Sequence, residues 1–171
     1  YEARYLSSFT KGDQMNVTNN TAIDWTVIPG LKVRGDFSVS SDFSRTDIYT
    51  SPMSYSYIQD NDNDVSDPSV LYARGKYSLS NSTDMTLAGK LMVSYTKEVG
   101  KHLLQAVLGS EIREVNRESD GYVVTGFMDD ALDYLSYAVQ YEANSRPTGS
   151  ESIVRSAGAY LNANYSYDNR Y

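Results

Sequence analysis

The chain has 171 residues, a formal net charge of −7 at pH 7, one histidine and no cysteine. These counts exclude a disulfide framework, a cysteine nucleophile, a zinc ribbon and every multi-histidine metal site. The acidic balance also argues against nucleic-acid binding, which needs a basic face, and no apolar run approaches the roughly 18–20 residues of a transmembrane helix. Because the chain begins at Tyr1 rather than at a methionine, we expect it to be a piece of a longer protein.

Residues 21–39 alternate between apolar and polar side chains with period two. Successive side chains of a strand point to opposite faces, so this pattern predicts strands with one apolar and one polar face. Pro29-Gly30 interrupts the pattern with turn chemistry, which predicts a hairpin of two strands at about 15–28 and 31–46. The apolar face carries Ile23, Trp25, Val27, Leu31, Val33, Phe37 and Val39.

A long connection, residues 47–70, follows the hairpin and contains the acidic run "DNDNDVSD". Its aspartates are a candidate calcium site: Asp60, Asp62, Asp64 and Asp67. An EF-hand would need glycine and glutamate where the chain has Val65 and Leu71, so the run is not an EF-hand. A solvated polar loop is the favoured interpretation, with a looser calcium site as the alternative.

Alternation returns between residues 71 and 96 and keeps a single phase. A slip of one residue would reverse the faces, so the shared phase favours one long strand with an irregularity near Asn81-Ser82. A hairpin at that point is the competing interpretation. A short turn, 97–101, then leads to a strand from His102 to Glu118. We interpret His102 as a structural turn residue, since no catalytic triad can be assembled around it.

The next stretch, residues 119–152, is irregular. Within it, helical spacing of apolar residues predicts one short helix near 129–142, with Asp129 or Asp130 as N-cap. The last segment, 153–167, alternates again and predicts a strand. The chain is therefore predicted to be all-β, with antiparallel up-and-down strands and one short loop helix.

Short and long connections alternate along the chain, which is typical of an outer-membrane barrel with tight turns at one end and long loops at the other. A soluble sandwich would have shorter and more uniform connections. The aromatic residues near the short turns are candidates for a membrane-interface girdle: Trp25, Tyr95, Tyr165 and Tyr167. At the loop end of the same face, Arg45 and Arg155 could meet lipid phosphate or be ordinary rim residues.

The polar face of the predicted sheet would line the interior of such a barrel. Its charged members are Lys32, Arg34, Asp36, Lys90, Glu111 and Arg113. Their expected partner is another part of the protein that fills the barrel.

Three stretches resemble the SusC/RagA family of TonB-dependent outer-membrane transporters: "NNTAIDWTVIPGLKVRGDFS", "SYTKEVGKHLLQAVLGSEIRE" and "AYLNANYSYDNRY". The last departs from the family text at Asn162 and Ala163. The resemblance implies that residues 1–171 are an interior segment of a barrel of 22 strands, with the plug domain, the TonB box and the other strands elsewhere. It also implies a bacterial outer-membrane location, contact with outer-membrane lipid, energy supplied by TonB, a SusD-like surface lipoprotein, and import of glycan fragments or other nutrients.

The residues themselves predict no enzyme and no cofactor apart from the candidate calcium site. Candidate substrate-binding residues are the loop tyrosines Tyr55, Tyr57, Tyr137 and Tyr141, which could stack on sugar rings or pack the loops together. The alternative function is a soluble or surface-exposed all-β binding or adhesion module that uses loops 47–70 and 119–152.

Overall fold

The structure, a computed structural model, describes residues 6–58 and 67–168. Within these residues the chain forms six strands: β1 Phe9–Ile28, β2 Leu31–Thr50, β3 Lys76–Val99, β4 His102–Thr125, β5 Gln140–Tyr141 and β6 Thr148–Tyr167. They make one sheet in the order β1-β2-β3-β4-β5, and β6 also pairs with β4. The predicted all-β, up-and-down antiparallel architecture is confirmed, and the sheet is open, as expected for part of a barrel.

Two short helices lie in the first long connection, α1 Tyr55–Ile58 and α2 Pro68–Ala73. Helix α2 begins where it does because the Asp67 side chain accepts a hydrogen bond from the Ser69 amide, and because Pro68 suits the first helical position. No helix in the part of the chain that the structure describes is long and apolar enough to cross a membrane.

The strands extend beyond the bounds that alternation predicts. Strand β1 begins at Phe9 rather than near residue 15, and β2 ends at Thr50 rather than near residue 46. Strand β4 runs to Thr125, so the first residues of the predicted irregular stretch are strand. The strands lengthen because their loop-side ends pair with neighbours even where the apolar alternation has faded.

The long strand predicted for 71–96 is right in its continuity and wrong in its start. Strand β3 is unbroken through Asn81-Ser82, so the hairpin alternative is excluded. The strand begins at Lys76, however, because residues up to Ala73 belong to α2 and Gly75 makes the turn with φ of 66°.

The helix predicted for 129–142 is wrong. Only Leu135–Tyr137 form a single 3-10 turn, flanked by extended backbone at Tyr134 and Ala138. Beyond it the chain pairs with β4: the amides of Val139 and Glu142 donate to the carbonyls of Thr125 and Val123, at 3.0 and 3.1 Å. Tertiary strand pairing thus overrides the local helical spacing.

The chain divides into two compact units, each containing pieces of several strands. We call the first, made of Tyr1–Met15, Asp42–Thr83 and Glu118–Glu151, the loop unit, since it contains both long connections. The second, made of Asn16–Ser41, Asp84–Arg117 and Ser152–Tyr171, contains both short turns and is called the turn unit.

Candidate functional site

The loop unit has an aromatic core of its own. Its buried hydrophobic residues are Tyr49, Tyr77, Leu79, Val124 and Phe127. Phe127 is 1% exposed, and its ring lies 5.2 Å from the ring of Tyr49 in an edge-on arrangement. It is held there by its own amide and that of Gly126, both of which donate to the Arg74 carbonyl. The connection after β4 is therefore anchored to the sheet by the packed ring of Phe127.

A buried carboxylate lies beside this core. The Asp47 side chain is 6% exposed and binds the Arg45 guanidinium, with Nε to Oδ2 at 2.8 Å. The Tyr77 hydroxyl donates to the other carboxylate oxygen at 2.8 Å. Both oxygens of Asp47 are thus satisfied, which offsets the cost of burying the charge. Sequence reasoning does not find Asp47, because nothing in its local pattern separates it from an exposed strand aspartate.

Asp130 ties three segments of the loop unit together. Its carboxylate accepts the Ser7 amide at 3.0 and 3.1 Å, and the Ser51 amide in turn donates to the Ser8 hydroxyl at 2.9 Å. Burial opposes ionisation of Asp130, but hydrogen bonds from Ser51 and Ser7 outweigh it and hold the pKa below the ordinary aspartate value. The contact joins the long loop after β4 to the segment that precedes β1.

The loop tyrosines fall into two groups. Tyr57 is half-buried, and burial raises the pKa of its phenol, which fits a packing role. Tyr55, Tyr137 and Tyr141 are 57%, 51% and 50% exposed and keep ring surface available for a ligand. Whether any of them binds substrate stays a prediction.

Tyr141 also lines an open groove of about 470 Å³ in the loop unit. The groove is lined by Tyr122, Val124, Leu135, Ala138, Val139, Gln140 and Tyr141. The rings of Tyr122 and Tyr141 meet edge-on with centroids 6.4 Å apart. The position of this groove depends on the pairing of β5 with β4, which local sequence patterns do not reveal.

One face of the sheet in the turn unit is apolar and exposed. Ile23, Trp25, Ile112 and Leu161 are 67%, 63%, 65% and 72% exposed. Other large apolar residues of the same alternation are also exposed: Leu87, Leu91, Leu104, Leu108, Ile153 and Tyr165. We call this set the apolar face. Its extent is far beyond the scattered exposed hydrophobic residues of a soluble monomer.

A charged pair interrupts the apolar face on β4 and β6. The Arg155 Nε lies 2.5 Å from a carboxylate oxygen of Glu114. Between this pair and the short turns, the same face of β4 carries Leu104, Ala106, Leu108, Ser110 and Ile112, a mostly apolar stretch of nine positions. A membrane-crossing strand needs about 9–11 residues. Arg45 and Arg155, for which lipid phosphate was one expected partner, each bind a carboxylate of the protein instead.

The opposite face of the turn unit is a network of charges. Arg34 bonds to Asp36 at 2.9 Å and approaches Asp24 at 3.7 Å, while Lys90 lies 3.4 Å from Glu111 on the neighbouring strand. An open cavity of about 360 Å³ lies over these side chains, lined partly by Arg34, Asp36, Lys90 and Glu111. Four of the predicted lumen residues are thus brought together. Lys32 and Arg113 are not among the lining residues, and the lumen assignment stays a prediction.

Three of the girdle candidates, Tyr95, Tyr165 and Tyr167, have neighbours at the short turns. The Gly30 carbonyl of the first turn accepts the Thr96 amide at 2.7 Å, which places Tyr95 beside that turn. His102 Nδ1 lies 2.7 Å from the Tyr165 hydroxyl, and its ring is 5.0 Å from that of Tyr167. His102 is therefore packed among turn-side aromatics. That these rings lie at a membrane interface stays a prediction.

Three of the four candidate calcium ligands, Asp60, Asp62 and Asp64, lie outside the described residues. The fourth, Asp67, is occupied as the cap of α2, and the hydrogen bonds from Ser69 hold its pKa below the ordinary value. In residues 6–58 and 67–168, no three histidine, aspartate or glutamate side chains group as metal ligands. The calcium site stays a prediction.

Comparison with solved structures finds the same fold in a known transporter. The chain is similar to chains in structures described as the RagAB peptide transporter and as the RagAB peptide importer in the "closed-closed" and "open-open" states. The TM-scores are 0.76, 0.76 and 0.75, with 20% identity in each case. Each match covers 95% of this chain but only 17%, 17% and 16% of the other. At this identity the likeness shows the fold alone.

No family profile matches the sequence, and no curated protein is significantly similar to it.

Proposed function

We propose that this chain is a barrel segment of an outer-membrane active transporter of the SusC/RagA type. The single observation that carries the proposal is the apolar face of the turn unit, exposed at Ile23, Trp25, Ile112 and Leu161. Exposed apolar residues that alternate with charged ones along paired strands suit lipid on one side and a polar interior on the other. The shared fold with RagAB transporter chains supports the same assignment.

On this proposal the protein imports nutrients rather than catalysing a reaction. Glycan fragments and peptides are the candidate cargo, the former from the family resemblance and the latter by analogy with the RagAB peptide transporter. TonB would supply the energy, and a SusD-like surface lipoprotein would be the partner at the loop end. The charge network around Arg34 and Lys90 would face the barrel interior, where its partner is the plug domain.

The test is a pair of neighbouring substitutions in β6 of the full-length protein. Leu161→Arg places a charge on the apolar face of β6, between Arg155 and Tyr165, where an arginine near the bilayer midplane costs about 2–4 kcal/mol. Asn162→Arg makes the same addition on the polar face, where a charge can be solvated. We expect the wild type and Asn162→Arg to fractionate with the outer membrane as a heat-modifiable barrel, and Leu161→Arg to lose most of the folded form.

Equal tolerance of the two arginines would contradict the membrane assignment. A wild-type protein recovered from the soluble fraction would instead favour the all-β binding or adhesion module. Loss of cargo uptake in a strain without TonB, with the barrel still folded, tests the energy source separately.

A further inference from the structure

The two units of the chain carry opposite charge. Among the described residues the loop unit has 11 acidic and 5 basic residues, a net charge of −6, whereas the turn unit has 7 acidic and 8 basic residues, a net charge of +1. The acidity of the described residues therefore comes entirely from the loop unit. A potential of one sign over a binding surface raises the local concentration of ligands of the opposite sign.

Basic residues of the loop unit do not cancel this excess at its surface. Lys11 pairs with Asp13, Arg45 with Asp47, and Lys76 with Glu142 at 2.7 Å. These pairs use three of the five described basic residues of the unit for internal contacts and leave carboxylates in large excess. Asp129, Asp130 and Asp133 come from the same loop that forms the tyrosine-lined groove.

The groove itself is suited to a side chain with an apolar stem and a cationic head. Leu135 and Val139 supply apolar walls, and Tyr141 supplies an accessible ring. On the same loop, Tyr134 and Tyr137 are 70% and 51% exposed. Lysine and arginine side chains bury their methylene stems on apolar surface and place their charge over aromatic rings.

We propose that this groove binds cationic peptides, with lysine or arginine side chains lying against Tyr141 in the acidic field of the loop unit. The proposal rests on the proposed function, because it assumes that the loops face the outside and first meet the cargo. It adds the charge class of that cargo and the residues that select it. A neutral glycan would gain nothing from the net charge of −6.

The experiment uses the full-length protein in detergent and three labelled nine-residue peptides of identical length. One peptide carries four lysines, the second carries glutamates at those positions, and the third carries glutamines. We expect the lysine peptide to bind at least about ten-fold more tightly than the glutamate peptide. Its affinity should fall when NaCl is raised from about 0.05 to 0.5 M, because screening shortens the reach of the charges.

Matched variants locate the site. Tyr141→Ala should weaken lysine-peptide binding about two- to five-fold, whereas Tyr160→Ala, which removes a ring of similar exposure (49%) in the turn unit, should not. Asp133→Asn should weaken binding about two-fold at low salt, whereas Glu98→Gln, the same charge removal in the turn unit, should leave it unchanged. Heat-modifiable migration of each variant reports folding independently.

Equal affinity for the three peptides, or no effect of Tyr141→Ala and Asp133→Asn in folded protein, would overturn the proposal. Salt-independent binding of a neutral oligosaccharide at Tyr141, without peptide binding, would overturn it in favour of a glycan site. If either result came from a protein that still forms an outer-membrane barrel, the proposed transporter function would stand. Charge-selective peptide binding by a protein that is not in the membrane would overturn the transporter function and leave the peptide site standing.

Discussion

Phe127 shows how a single side chain organises a long connection. It is 1% exposed and contacts the rings of Tyr49 and Tyr77. A Cβ added at Gly75 would lie only 2.7 Å from the Cβ of Phe127. Glycine at 75 is thus needed both for its φ of 66° and for the space that Phe127 occupies. The loop after β4 is fixed at its first residues by this ring.

We predict that Phe127→Ala loosens the loop unit without unfolding the turn unit. Removing a buried phenylalanine costs about 3–5 kcal/mol, and here the loss falls on a small core with few other residues. Limited proteolysis of the full-length protein in detergent should show faster cleavage within residues 126–147. Met128→Ala is the matched control, since Met128 is the next residue and is 49% exposed. Equal cleavage of the two variants would mean that the ring does not anchor the loop.

At the scale of elements, the two short turns differ in how they use glycine. Gly30 and Gly100 both have positive φ, 89° and 60°. A Cβ at Gly30 would clash with the Thr96 carbonyl oxygen of β3, whereas a Cβ at Gly100 would meet nothing within 4 Å. The first turn is therefore constrained by a neighbouring strand as well as by its own backbone.

We predict that Gly30→Ala reduces the folded yield of the full-length protein much more than Gly100→Ala. Both substitutions strain the backbone by roughly 1–2 kcal/mol, but only the first forces β2 and β3 apart where the Gly30 carbonyl accepts the Thr96 amide. The folded fraction, measured by heat-modifiable migration after expression at several temperatures, distinguishes them. A similar loss for both would show that φ alone decides.

Alternation predicted the hairpins because the period-two signal is local, and the turn residues at Pro29-Gly30 add a second local signal. The loop unit could not be predicted in this way. Its core joins Tyr49, Tyr77 and Phe127, which lie far apart in the chain, and β5 exists only through its pairing with β4. The same non-local pairing explains why apolar residues at helical spacing near Leu135 do not form a helix.

At the scale of the whole molecule, the sheet is open and exposes strand edges and an apolar face. Strands β1 and β6 pair on one side with β2 and β4 in the sheet, and strand edges without a partner invite pairing with another chain. The apolar face adds a large surface that water solvates poorly, with Trp25 and Leu161 at 63% and 72% exposed. The buried core of the described residues is small by comparison and lies in the loop unit.

We therefore predict that the isolated chain of 171 residues is not a soluble monomer. The strand edges need hydrogen-bond partners and the apolar face needs an apolar neighbour. The rest of a barrel, detergent or other copies of the chain can supply these contacts. Light scattering in detergent-free buffer should show oligomers, and detergent should reduce their size. Hydrogen exchange should show weak protection of amides in β1 and β6 unless the chain has associated. A monodisperse monomer with protected strand amides would contradict the barrel assignment, because such a chain would have satisfied its edges and its apolar face without lipid.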